Sequence, residues 1–116
     1  MSPRPAVQGW VPDRGDVIWI DHHLFAVLST ASFHSTVGLV VGCAMTTAPY
    51  NRGSTLAVDL GPIPDRPGSH SYVLCQQLKS FDWRARGARP HPIGRLNDCQ
   101  LEELMAIVGQ ILGLVV

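Results

Sequence analysis

Residues Ser71 to Gly87 read Ser-Tyr-Val-Leu-Cys-Gln-Gln-Leu-Lys-Ser-Phe-Asp-Trp-Arg-Ala-Arg-Gly. The first half, Ser71–Leu78, is mostly apolar and carries polar Gln76 and Gln77 near its end, so it reads as a strand. The second half, Ser80–Gly87, has the composition of one or two helical turns stopped by a glycine. Lys79, Arg84 and Arg86 cluster around Trp83. Arginine beside an aromatic ring is a surface on which a nucleic-acid base can stack. The same pattern also fits an amphipathic turn that buries Trp83 and leaves its charges in water.

Upstream, Val17–Ile20 and Leu24–Leu28 are two short β-rich runs, and Gly38–Met45 is a longer one, apolar enough to lie inside a sheet. Thr46-Thr47 ends it, and Ala48–Gly53 has turn chemistry. Ser54–Leu60 alternates as a strand, Gly61–Ser69 reads as a loop, and Pro90–Gly94 is short and extended. The C-terminal segment is the clearest helix. Asn97 caps it with Gln100 three residues on, and Leu101, Leu104, Met105, Val108, Ile111 and Leu112 recur at helical spacing. Simple packing of this stripe on the sheet is the favoured reading over a partner-binding face. Many short strands and one terminal helix predict a mainly β class, a small barrel or sandwich with a helix over one side. Residues 1–10, rich in Pro and Gly, read as a flexible tail before a single domain spanning 11–116.

The chain has 116 residues, 46% of them hydrophobic and 16% charged, which is a globular and not a disordered composition. Its formal net charge is +0, so it lacks the general basic excess of a free-standing nucleic-acid binder. Any RNA contact must come from a local patch. Cys43, Cys75 and Cys99 are odd in number and form no Cys-x-x-Cys pair, against a disulfide framework or a zinc site and in keeping with a reducing cytoplasm. His34, His70 and His91 are scattered without metal-ligand spacing, so no metal is expected. Met1–Gly9 has no signal-peptide core, and the apolar C-terminus is too short and mixed for a membrane span.

Five blocks, in order and with fitting gaps, resemble the MazF/PemK toxin family. Val11–Trp19 is similar to its opening, where a Gly-Asp turn starts the first strand, and Ala26–Ser29 to its second strand. Gly42–Thr47 resembles the third strand with its terminal Thr pair. Gln77–Ser80 with Trp83–Gly87 resembles the most diagnostic block, and the C-terminal helix falls where the family has one. The resemblance covers roughly residues 11 to 113. It implies a dimeric SH3-like small β-barrel of the CcdB-like type. It further implies a cytoplasmic, cofactor-free endoribonuclease that cleaves single-stranded mRNA and is inhibited by a MazE-like antitoxin through its acidic C-terminal segment.

Metal-free RNA cleavage uses the ribose 2′-hydroxyl as nucleophile. It needs a base, an acid and fixed donors on the phosphorane oxygens. The resemblance assigns Thr46 to the phosphate, with Thr47 as a weaker partner; a plain turn-capping hydroxyl is the alternative for Thr46. Gln77, Lys79, Arg84 and Arg86 are expected to contact RNA. The family's arginine, carried on a loop that ends in Arg-Pro, has no counterpart: Trp19–Ala26 runs Trp-Ile-Asp-His-His-Leu-Phe-Ala. Its position falls on His23, and the gap lies between His23 and Leu24. Histidine exchanges protons near neutrality but cannot clamp phosphate as arginine does, so His23 is a candidate acid–base group or a plain turn histidine. With no Gly, Asn or Pro at Asp21-His22-His23, a tight hairpin is not expected there. Gln76 stands where the family commonly has an acid. The resemblance therefore leaves two functions open: an active endoribonuclease, or a degenerate toxin that binds antitoxin or RNA without cutting.

Overall fold

The computed structural model describes residues 9–114. Strands β1 (Asp16–Ile20), β2 (His23–Val27), β3 (Leu39–Thr46), β4 (Ala57–Ile63), β5 (Arg66–Asp82) and β6 (Arg89–Arg95) form one antiparallel sheet in the order β4-β5-β3-β2-β1-β6. Helix α1 (Ala31–Val37) links β2 to β3, and α2 (Asp98–Leu112) follows β6. The sheet curls into a half-barrel, and α2 packs on one of its faces. This is the mainly β class with a C-terminal helix that the sequence implies.

Both faces of the sheet are covered, which explains why its strands read as apolar runs and not as clean alternation. Side chains at successive positions point to opposite faces. On one face Val17, Ala26, Cys43, Val58, Val73 and Cys75 pack against Leu96, Leu104 and Val108. On the other, Ile18, Ile20, Phe25, Val27 and Val40 surround Trp83 and Ala88. Burial pushes the Cys43 thiol up to about 12 and the Cys75 thiol up to about 11, while Cys99 is exposed. Since thiolate is the reactive form, native protein is expected to take up one equivalent of iodoacetamide at Cys99. Mass spectrometry should show further labelling only after denaturation.

Two glycines have steric jobs. Gly15, at φ +91, makes the turn into β1, where its N–H donates to Val27 O (2.8 Å) and its carbonyl accepts from Leu96 N–H (2.8 Å). Gly42 lets β2 and β3 approach: a Cβ there would collide with the Ala26 carbonyl oxygen and lie 2.8 Å from Phe25 Cε2.

Several expectations change. The tight β1–β2 hairpin does form. Ile20 pairs with His23, leaving a two-residue turn of Asp21 and His22. Asp21 takes φ 54, and positive φ at the first turn residue alone is the type II′ pattern, which Asp tolerates through its short polar side chain. The junction therefore sits at Asp21-His22, slightly before the gap counted from sequence. Gly61–Ser69 is not a loop but mostly the facing ends of β4 and β5, turned at Pro64-Asp65. β5 runs on through Asp82, and only one tight turn follows, where Asp82 Oδ1 accepts from Ala85 N–H (3.0 Å). Trp10, in the expected tail, packs edge-on against Trp83 at 5.9 Å; the rest of that tail, residues 1–8, lies outside the described residues.

Helix α1 was not legible. Its Ser- and Thr-rich sequence has weak helix propensity, yet the Thr30 hydroxyl caps it and Gly38 stops it. It also carries His34, fully buried. His34 Nδ1 donates to the Pro12 carbonyl (2.5 Å), since a carbonyl can only accept, and Nε2 meets Ser29 Oγ (2.5 Å). Helix α2 matches its expected cap, with the Asn97–Gln100 box complete. Its stripe is only half covered: Leu104 and Val108 are buried, but Met105, Ile111 and Leu112 stay exposed. Among the described residues, no helix is long and apolar enough to cross a membrane.

Candidate active site

Strand alternation divides the site residues between two hollows. His23 and Phe25 of β2, Ala44 and Thr46 of β3, and Gln77, Lys79 and Phe81 of β5 face one cavity of about 340 Å³, with Arg86 and Tyr50 at its walls. Five expected residues therefore meet there: His23, Thr46, Gln77, Lys79 and Arg86. Among the described residues no carboxylate lines it, and its cationic side chains are Lys79 and Arg86, the latter paired with Asp21.

A bulge interrupts the β3–β5 ladder beside the cavity. Cys43 pairs with Leu78 but Met45 pairs with Val73, so residues 74–77 are set against Ala44 alone. Exposed Gln77 keeps the alternation of Lys79 and Phe81 and lines the cavity. Gln76, also exposed, does not line it. The floor is apolar, with Phe25 and Phe81 edge to face at 5.3 Å.

Thr46 Oγ1 accepts the Ala48 N–H at 3.2 Å. The hydroxyl therefore caps a turn and still has its own proton to donate into the cavity. Arg86 donates through Nε (2.8 Å) and Nη2 to Asp21 Oδ2 in the β1–β2 turn. That guanidinium holds the Asp21 carboxyl below the usual carboxylate range. It also lies 4.9 Å over the Phe81 ring, fixed from two sides.

Two expected residues lie elsewhere. Thr47, one residue past the end of β3, lines a second, larger groove of about 740 Å³ with Trp19, Leu60, Ile63 and His91. Arg84 sits 4.4 Å over Trp83 but lines neither hollow. Trp83 is 1% exposed and donates its Nε1–H to His34 O (3.3 Å), so its ring offers no stacking face and the amphipathic-turn reading holds. Sequence reasoning missed Tyr50 and Asp21. Tyr50 sat in a segment read for its turn chemistry and Asp21 in one where no tight turn was expected, and nothing local announced that the fold would bring them to Thr46 and Arg86. Among the described residues, no group of three or more His, Cys, Asp or Glu is placed to hold a metal ion.

The family model for the PemK-like, MazF-like toxins of type II toxin–antitoxin systems matches residues 13–112. The chain belongs to this toxin family. The endoribonuclease toxin MazF of Escherichia coli (strain K12) is 33% identical to it over 93 residues, 71% of this chain and 78% of that protein. Among solved structures, a MazE–MazF complex from Deinococcus radiodurans superposes with a TM-score of 0.76 at 28% identity, covering 91% of this chain and 100% of that one. MazF alone from the same organism gives 0.74 at 26% identity, covering 90% and 98%.

Proposed function

We propose that this MazF-like chain is the toxin of a type II toxin–antitoxin pair and cleaves single-stranded mRNA at short sequences without a metal. The observation that carries this is the convergence of His23, Thr46, Gln77, Lys79 and Arg86 on one cavity, lined by no carboxylate among the described residues. Such a donor set suits a phosphodiester and not a hard cation, which takes oxygen ligands.

In this reading the 2′-oxygen attacks phosphorus as His23 removes its proton. Thr46 O–H, Lys79 and Arg86 hold the non-bridging oxygens. The P–O5′ bond breaks and the 5′-oxygen receives the proton from the imidazolium, leaving a 2′,3′-cyclic phosphate and a 5′-hydroxyl. Gln77, with both a donor and an acceptor, suits a base edge. The exposed Met105, Ile111 and Leu112 on α2 fit a homodimer contact, and the cationic cavity fits a MazE-like antitoxin whose acidic C-terminal segment competes with RNA.

A second reading, a toxin homologue that binds but does not cut, draws on the Asp21-His22 turn. It brings no arginine, and Asp21 already engages Arg86. Incubating the chain with mixed-sequence single-stranded RNA in EDTA separates the two. The enzyme reading expects cyclic-phosphate ends from wild type and strongly reduced cutting by His23→Ala. Antitoxin binding with no cutting establishes the second reading. Cutting that EDTA abolishes sinks the metal-free mechanism.

A further inference from the structure

We propose that Tyr50 is a base-stacking platform at the mouth of the cavity, taking a nucleobase that flanks the phosphate held at Thr46. This rests on the RNA-cleaving reading and names a contact that reading leaves empty. Cleavage of a single strand between two bases needs those bases splayed and held, and aromatic faces are the usual means. The sequence offers Trp83 for this, but its ring is buried. Phe25 is buried in the cavity floor and Phe81 is covered by the Arg86 guanidinium. Tyr50 is 85% exposed, more than any other large apolar side chain among the described residues, and it lines the same cavity as Thr46 and Lys79.

An exposed aromatic alone means little. What distinguishes Tyr50 is how firmly its backbone is held. It lies in a 3-10 turn, Pro49–Asn51, with Pro49 presetting the first dihedral. Buried Asn51 donates to the Ala48 carbonyl through its side chain (3.0 Å) and its backbone N–H (3.2 Å). Arg52 N–H closes the turn on Pro49 O (3.1 Å). The Ala48 N–H, in turn, donates to Thr46 Oγ1. The ring and the phosphate donor therefore belong to one hydrogen-bonded unit spanning residues 46–52. A tyrosine with few rotatable bonds on a rigid turn loses little entropy when a base lands on it. Stacking on a phenol accepts any base, so the platform adds affinity and leaves base selection to groups such as Gln77.

The test uses the full chain and a mixed-sequence oligonucleotide with 2′-O-methyl riboses, which binds but has no nucleophile. 2-Aminopurine placed at successive positions reports stacking by loss of fluorescence. Wild type is expected to quench the probe at one position. Tyr50→Phe should keep both quenching and affinity. Tyr50→Ala and Tyr50→Leu should lose the quenching, with the alanine variant weakening Kd by ~5- to 150-fold. That weakening should be similar for oligonucleotides of different sequence. Melting temperature and gel-filtration volume should not move, since the ring is exposed. Affinity within twofold of wild type in Tyr50→Ala overturns the proposal while leaving the cleavage reading intact. So does loss of the dimer in Tyr50→Ala, which would make Tyr50 a contact between copies. No binding by wild type overturns both.

Discussion

Thr46→Ala is expected to slow RNA cleavage by ~100- to 1000-fold, the range seen when one preorganised donor to a developing oxyanion is removed, or ~2.7–4 kcal/mol. The size follows from the geometry at Oγ1. Its acceptor lone pair is engaged by the Ala48 N–H, which fixes the oxygen and leaves the hydroxyl proton as the group available to phosphate. Thr46→Ser keeps that proton and should stay within about tenfold of wild type, because one fixed oxygen–hydrogen bond is retained. Single-turnover rates on a defined RNA make the comparison, alongside thermal melting. The loss should appear in the chemical step with little change in binding, because the interaction strengthens as charge develops on phosphorus. Cleavage by Thr46→Ala within threefold of wild type would remove Thr46 from the mechanism.

Gly42→Ala is expected to destabilise the fold by about 3 kcal/mol or more, at the upper end for overpacking. A methyl group has nowhere to go. It meets the Ala26 carbonyl oxygen, part of the backbone, and the Phe25 ring, part of the cavity floor. Relief requires either parting β2 from β3 or driving Phe25 into the space where substrate is expected. Gly68→Ala is the control: no atom lies within 4 Å of the place its Cβ would take and its φ is ordinary, so the change should stay below ~1 kcal/mol. Urea unfolding midpoints for the three proteins decide the matter. A Gly42→Ala midpoint equal to wild type would show that the two strands can part freely.

How much of this was legible in the sequence depended on the range of the interactions. Helix α2 was, because its cap and periodicity are local. β1, β2 and β3 were, because buried strands leave continuous apolar runs. Helix α1 was not, since its weak propensity hides the contacts that tie it down, His34 reaching Pro12 and Ser29. The β4–β5 arms were not, because Pro62, Pro64 and Pro67 announce a loop; Pro62 falls at a register shift, where a missing N–H is tolerated. In the site, Thr47 was expected beside Thr46, yet it lies just past the end of β3 and lines the other hollow, which the paired residues alone did not announce. Gln77 follows the same alternation as Lys79 and Phe81, whereas Asp21–Arg86 joins residues 65 positions apart, which no local pattern encodes.

The two-residue turn at Asp21-His22 also bears on the thermodynamics of recognition. A dozen-residue segment that orders over a bound strand gives up ~1–2 kcal/mol of backbone entropy per residue it freezes. This turn has almost no such freedom to lose. Association should therefore show a small heat-capacity change for the area covered, with little of the signature of coupled folding. On the RNA-cleaving reading, the cleft should meet a strand already shaped, with little loop-ordering cost to offset its contacts.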